Sequence, residues 1–314
     1  MKVLVIGATG AVGRPLVSQL LERGHEVVAT SRTRERAEAL RALGAEPAVL
    51  DVLDREALRL LVLDIRPDAI VHQATALAGG IDFKHFGESF AQTNRLRTEG
   101  TDNVLAAAKE AGVERVVAQS YTGWPYARVG GPVKSEEDPL DDDPPEAVRE
   151  TLAAIGHLER VVVGAGGIAL RYGAFYGAPI DPLGDAIHDR KVPIVGDGGG
   201  IWSFVHVDDA AAATVLALER GRPGVYNIAD DEPAPVREIF PAVAEMLGAP
   251  PPRKVPAWLA RLFVGEFGVV SMTELRGASN AKARRELGWE PRYPSWRQGF
   301  AETYRASLGV EQAA

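Results

Sequence analysis

Residues 2–13 read Lys-Val-Leu-Val-Ile-Gly-Ala-Thr-Gly-Ala-Val-Gly. After Lys2 the next four are apolar and rich in β-branched side chains, which predicts a short buried strand over Lys2–Ile6. Three glycines spaced by three follow, and an amphipathic stretch from about Ala11 to Arg23 predicts a helix. In a strand–turn–helix setting each glycine has a task. Gly7 permits the tight turn, Gly10 lets backbone approach a pyrophosphate, and Gly13 seats the helix close on the strand. The unpaired N–H groups and positive end of the helix suit an anion. Gly7, Thr9, Gly10, Ala11, Val12 and Gly13 are therefore the candidate dinucleotide cradle; without a ligand the same glycines would be a plain turn.

The pattern repeats outward from this unit. His25–Thr30, Pro47–Leu50, Ala69–His72 and Arg115–Ala118 read as strands, alternating with helical stretches at Thr33–Leu43, Arg55–Asp64 and about Phe86–Ala111. Such alternation predicts right-handed βαβ crossovers and an α/β fold with a doubly wound parallel sheet, the Rossmann fold. Gly123–Pro145, with its prolines and acidic groups, reads as a long loop. Glu146–Val163 returns to helix and Ile168–Arg171 to strand, and a Gly/Pro-rich loop is expected over Gly173–Gly200. Val207–Arg220 reads as a helix, Val225–Ile228 as a strand, and Val236–Leu247 and Ala257–Phe267 as helices. Ser295–Leu308 is a last helix, with Ser295 as its N-cap. The implied division is a dinucleotide-binding domain over 1–172, with returns around 201–229, and a small substrate lobe from 173–200 and 230–314.

Composition removes several alternatives. The 314 residues contain no cysteine, which excludes disulfide scaffolds, thiolate metal sites and Cys nucleophiles. Asp and Glu number 43 against 35 Lys and Arg, a net charge of −8 that argues against a nucleic-acid partner. No apolar run reaches the roughly 18 residues of a membrane span. The apolar start runs straight into the glycine turn, so it reads as a strand and not as an export signal. The expectation is a cytoplasmic protein acting on a small molecule.

The end of the second strand bears on the choice of cofactor. An NAD site usually places an acid there for the ribose diol. Here the run is Thr30-Ser31-Arg32-Thr33-Arg34-Glu35-Arg36, with no acid at the strand tip. Ser31, Arg32 and Arg36 suit a 2′-phosphate, because guanidinium groups offer charge-assisted bonds. NADP(H) is therefore expected over NAD(H). The same arginines would otherwise form a solvated helix face.

Further stretches complete the pattern: Asp51-Val52, His72-Gln73-Ala74-Thr75, Gly100-Thr101-Asp102-Asn103, Leu170-Arg171-Tyr172 through Phe175-Tyr176-Gly177, Ser203 through Ala210, Val225-Tyr226-Asn227-Ile228, and Lys282 through Pro291. Together with the glycine turn they make the chain resemble, over nearly its whole length, the extended short-chain dehydrogenase/reductase family of the NAD-dependent epimerase/dehydratase type. The resemblance implies that Asp51 and Val52 touch adenine and that Gln73, Ala74 and Thr75 line the cofactor. It also implies a homodimer through Phe86–Ala111 and Glu146–Val163. One motif departs. The family carries Tyr-x-x-x-Lys-x-x-x-Glu on the helix after the loop, with the Tyr hydroxyl moving a proton and the Lys lowering its pKa. The register that fits this chain puts Thr151, Ile155 and Glu159 there. Threonine and isoleucine cannot run that relay, so the chain resembles an atypical branch. Arg97 stands where relatives often have Asn, with Asn94 one turn earlier.

The nearest substitute is the turn after the fifth strand, where the family polarises its substrate. Tyr121, with Ser120 and Thr122 on either side, is the candidate donor; a half-buried structural Tyr is the alternative. Lys134 supplies charge only if its loop folds back. Trp124, Tyr126, Arg171, Tyr172, Tyr176 and Trp202 are candidate substrate contacts at the sheet's carboxyl edge, although core packing and an Arg171–Glu159 link compete with that role. The six histidines are scattered without metal-ligand spacing, so no metal is expected. The leading functional expectation is an oxidoreductase for a small carbonyl or hydroxyl compound. An epimerase or dehydratase of a sugar nucleotide and a non-catalytic NADP(H) sensor are the alternatives.

Overall fold

A computed structural model describes residues 1–77, 82, 85–123, 125–177 and 182–311. The chain begins β1 (Lys2–Ile6), α1 (Gly13–Glu22), β2 (Glu26–Ser31), α2 (Arg34–Arg41), β3 (Glu46–Val49), α3 (Arg55–Ile65) and β4 (Ala69–His72). Next come α4 (Phe86–Arg95), a π turn at Leu96–Gly100, α5 (Thr101–Ala111) and β5 (Arg115–Tyr121). After β6 (Val133–Lys134) the chain forms α6 (Glu146–Gly164) and β7 (Ile168–Tyr172). Seven strands form one sheet in the order β12-β7-β5-β4-β1-β2-β3, where β12 is Gly224–Ile228. Every pairing in it is parallel. The order reverses between β1 and β4, and ligands of such sheets bind at that switch point, beyond the carboxyl ends of the strands.

Local sequence explains the joints. Thr33 caps α2 by accepting from the Arg36 N–H, and Asp54 caps α3 by accepting from the Ala57 N–H. Both faces of the sheet are covered by helices, so Val3, Leu4, Val5, Ile70 and Val71 have no exposed surface. This accounts for strands that are apolar without alternation.

The remaining elements build the lobe and close the sheet: β8 (Ala174–Tyr176), α7 (Pro182–His188), β9 (Ile194–Val195), β10 (Ile201–Trp202), β11 (Phe204–His206) and α8 (Val207–Arg220). Beyond β12 lie β13 (Ala234–Pro235), α9 (Val236–Met246), β14 (Lys254–Val255), α10 (Ala257–Thr273), β15 (Gly277–Ala278), α11 (Ala281–Leu287) and α12 (Trp296–Glu311). A second core gathers Tyr176, Phe204, Phe240, Trp296 and Phe300. It is joined to the sheet domain through Asp209, whose carboxylate accepts from the Arg292 and Tyr293 N–H groups at 2.7 and 2.9 Å. Ser295 caps α12 as expected, taking the Arg297 N–H at 3.1 Å.

Four features differ from the sequence reading. The helix expected over 86–111 is interrupted by the π turn at Leu96–Gly100. The loop expected over 173–200 contains α7 and two short strands, β8 and β9. α10 runs on to Thr273 across a kink at Gly265, whose φ is 69°. α11 escaped the reading because it has only seven residues, too few for a periodicity. Within the Gly123–Pro145 loop, β6 pairs in parallel with β15, which pins that loop to the lobe.

Candidate active site

The glycine turn is built to the tolerances that a dinucleotide requires. Gly7 sits at φ +86°, and a Cβ there would stand 2.7 Å from the Ala74 nitrogen, so the turn rests directly on the end of β4. A Cβ on Gly13 would lie 2.3 Å from the Gly7 carbonyl oxygen, which leaves glycine as the residue that lets α1 start so close to β1. The Gly10 N–H closes the turn on the Gly7 carbonyl at 3.0 Å. No side chain caps the start of α1 and no acid lies in its first turn, which leaves the positive helix end to an anion. These residues fit a pyrophosphate. Around them, Ser31 is buried at the tip of β2 while Arg32 and Arg36 are exposed just beyond it. Asp51 is exposed and Val52 buried, and Asn103 Nδ2 holds the turn by donating to the Val52 carbonyl at 3.1 Å. Gln73, buried, donates to the Tyr172 hydroxyl at 2.9 Å, and Ala74 and Thr75 are half-buried.

At the relay positions of α6 the structure holds no proton donor that faces the cleft. Thr151 is fully buried and its hydroxyl accepts from Asn94 Nδ2 at 3.1 Å. Ile155 is fully buried as well. One turn on, Glu159 takes both Nε and Nη2 of Arg171, at 2.7 and 2.6 Å. Arg171 is thereby held in a buried ion pair with Glu159. Arg171 Nη1 donates to the Tyr126 hydroxyl, which donates to Asn227 Oδ1, and the Asn227 N–H donates to Glu136.

Ser120 belongs to this network, not to the cleft. It is fully buried and its hydroxyl donates to Glu159 at 2.6 Å. Thr122 is also fully buried; its N–H donates to the Tyr172 carbonyl and its hydroxyl has no partner. Tyr121, between them, is half-buried, with its ring folded over Gly123: a Cβ there would stand 2.3 Å from the Tyr121 hydroxyl. Burial pushes the Tyr121 phenol above its ordinary range, against a downward pull from Arg97.

Several expected substrate contacts are packing residues. Tyr126 is spent on Arg171 and Asn227. Tyr172 is fully buried and bonded to Gln73 and Thr214, and burial raises its phenol to about 12. Tyr176 stacks on Phe300 in the lobe core. Trp202 donates to the Ser271 carbonyl and packs on Phe240. Large aromatic rings at a domain junction were drawn into the core because burial of their area outweighs exposure to a cleft. Trp124 lies outside the described residues. Lys134 pairs with Asp138 at 3.1 Å and supplies no charge to Tyr121.

The cation beside Tyr121 is Arg97, from the π turn. It is 4% exposed, lies over the Phe90 ring, and neither Nε nor Nη1 has a hydrogen-bond partner. Burial lowers its pKa to about 10, so it remains charged near neutrality. The sequence marked the position as unusual but carried no sign of its burial. In the same π turn the Leu96 carbonyl accepts from His72 Nε2 at 3.3 Å, and burial lowers the His72 ring to about 4. Among the described residues, no group of three His, Cys, Asp or Glu side chains is placed to hold a metal, and no helix is long and apolar enough to cross a membrane.

Residues 3–229, the span of the sheet and its cradle, match the model of the "NAD dependent epimerase/dehydratase family". The chain belongs to this family. A family relative from a Streptomyces species, a 3-diazoavenalumate denitrifying reductase, is 45% identical over 96% of this chain and 99% of its own. The 2-alkyl-3-oxoalkanoate reductase of Stenotrophomonas maltophilia is 30% identical over 80% of this chain and 77% of its own. Among solved structures of the family fold, the Thermus thermophilus UDP-glucose 4-epimerase in complex with NAD superimposes with a TM-score of 0.77 at 27% identity, covering 99% and 100% of the two chains. A nicotinamide dinucleotide is the cofactor that the family implies, and the cradle fits it.

Proposed function

We propose that this chain is an NADP(H)-dependent reductase whose acceptor is a small aromatic acid carrying a diazo group. One observation carries the reading: the dinucleotide cradle is intact, while Thr151 and Ile155 are buried at the relay positions and Thr151 is tied to Asn94. A bound dihydronicotinamide supplies a hydride. An aryldiazonium cation plus hydride balances as arene plus dinitrogen, the hydrogen ending on the ring carbon as the C–N bond breaks. That balance needs no proton from the protein. A carbonyl, in contrast, needs a proton as well as hydride to become an alcohol. The denitrifying reductase at 45% identity supports the same acceptor class.

The chain's own part in this reading is binding and positioning. Gly7, Thr9, Gly10, Ala11, Val12 and Gly13 hold the pyrophosphate. Ser31, Arg32 and Arg36 take the 2′-phosphate, Asp51 and Val52 the adenine, and Gln73, Ala74 and Thr75 the inner face of the cofactor. A homodimer through α4–α5 and α6 is part of the proposal; a light-scattering mass equal to the single chain's 33.6 kDa would refute it.

A second reading keeps the reductase and changes the acceptor to a small carbonyl, with the Tyr121 hydroxyl as proton donor. Its support is the place of Tyr121 at the carboxyl end of β5 and the 30% identical oxoalkanoate reductase. Incubating the purified chain with NADPH and either an aryldiazonium carboxylate or a 3-oxo acid separates the two. The first reading expects arene and dinitrogen, one for one with NADPH oxidised, and turnover that survives Tyr121→Phe. Alcohol from the oxo acid with no arene overturns it in favour of the second. Tight NADPH binding without oxidation by either acceptor overturns both and leaves a sensor.

A further inference from the structure

Two arginines are buried beside the cleft, and their surroundings are opposite. Arg171 is saturated: Glu159 takes two of its donors and Tyr126 a third. Arg97 is buried to the same degree, 4% exposed in both cases, yet among the described residues no ion pair reaches it and its Nε and Nη1 are without partners. A buried charge without a counter-ion is among the most expensive features that a fold can retain. Phe90 offers only a ring face 5.9 Å from the guanidinium carbon. Glu159 acts on Arg97 at a distance but has its oxygens committed to Arg171 and Ser120.

The position of Arg97 matters as much as its isolation. The π turn at Leu96–Gly100 sets it within electrostatic reach of Tyr121, which ends β5 at the carboxyl edge where ligands of this fold bind. We propose that Arg97 is the receptor for the carboxylate of the substrate, with Tyr121 beside it as the wall of the same subsite. The guanidinium presents two parallel donors to a carboxylate in a water-poor setting, where such a pair is strongest. This rests on the reductase reading and deepens it, since both named relatives act on compounds whose names are those of carboxylate anions.

The test is a binding experiment on the full chain with NADP+ present, so it does not depend on turnover. Cinnamate and benzoate are the probes, each compared with its uncharged amide. The wild type is expected to bind each acid at least about tenfold tighter than its amide, the value of a charge-assisted bond. Arg97→Met is expected to lose that preference, keep its affinity for NADP+ and melt no lower than the wild type, because it removes a charge that the fold does not neutralise. Arg97→Lys is expected to keep part of the preference. A wild type that does not distinguish acid from amide overturns the proposal whatever the variants do. So does an Arg97→Met protein that retains the preference, or one that lowers kcat on an uncharged ketone without touching carboxylate binding, which would make Arg97 a receptor for an oxyanion formed in the reaction. Failure of every acceptor to oxidise NADPH would refute the reductase reading and leave this result standing.

Discussion

The Glu159–Arg171 pair allows a double-mutant cycle whose outcome is fixed by the geometry. Both side chains are nearly buried, with relative exposures of 7% and 5%. Arg171→Met leaves the Glu159 carboxylate inside the protein with one donor, the Ser120 hydroxyl. Glu159→Leu leaves the guanidinium with one acceptor, the Tyr126 hydroxyl. Each single change strands a charge and is expected to cost about 3–5 kcal/mol. The double change strands none. It orphans one hydroxyl, that of Ser120, while Tyr126 keeps Asn227 as its acceptor, and should cost about 1–3 kcal/mol. The sum of the singles then exceeds the double by about 6 kcal/mol, far beyond the roughly 0.5 kcal/mol within which independent sites add. Urea unfolding at neutral pH, followed by tryptophan fluorescence, reads all four proteins from the shift in midpoint at constant slope. If the double mutant is as unstable as the sum of the singles, the pair is not a mutually neutralising buried unit, and the contrast drawn with Arg97 fails with it.

Three further outcomes follow from the site. Gly7→Ala forces a side chain into positive φ and against the Ala74 backbone; it should cost about 1–3 kcal/mol in thermal unfolding and weaken dinucleotide binding by calorimetry. Arg32→Ala should weaken NADPH about tenfold or more and leave NADH within about threefold, since only the former carries the 2′-phosphate; equal losses would refute the assignment of the strand tip. His72 is a base whose folded pKa is depressed from 6.5 to about 4 by burial. Its contribution to stability is therefore present above pH 6.5 and lost as pH falls from 6.5 to 4, to a limit of about 3 kcal/mol. Unfolding titrations of wild type and His72→Gln should differ in slope across that window and run parallel above it.

Much of the fold was legible because it is local. The apolar run of β1, the spacing of Gly7, Gly10 and Gly13, and the cap at Ser295 each act within a few residues, and the structure shows each of them in place. Thr151 and Ile155 were legible as residues that cannot move a proton, and both are buried on α6. Short elements were not. α7 and α11 span too few residues for a period to emerge, and the Gly265 kink falls inside an apolar helix.

By itself, then, the sequence determined a parallel sheet and a glycine turn at its carboxyl edge, because strand pattern and glycine freedom are properties of neighbouring residues. Only the tertiary structure decided which charges are answered. Arg171 finds Glu159, a helix away in sequence, while Arg97 is buried in a π turn with no ion pair among the described residues. Neutralisation depends on distances between groups far apart along the chain, and desolvation depends on what surrounds them on every side; neither exists until the sheet and helices have closed around them.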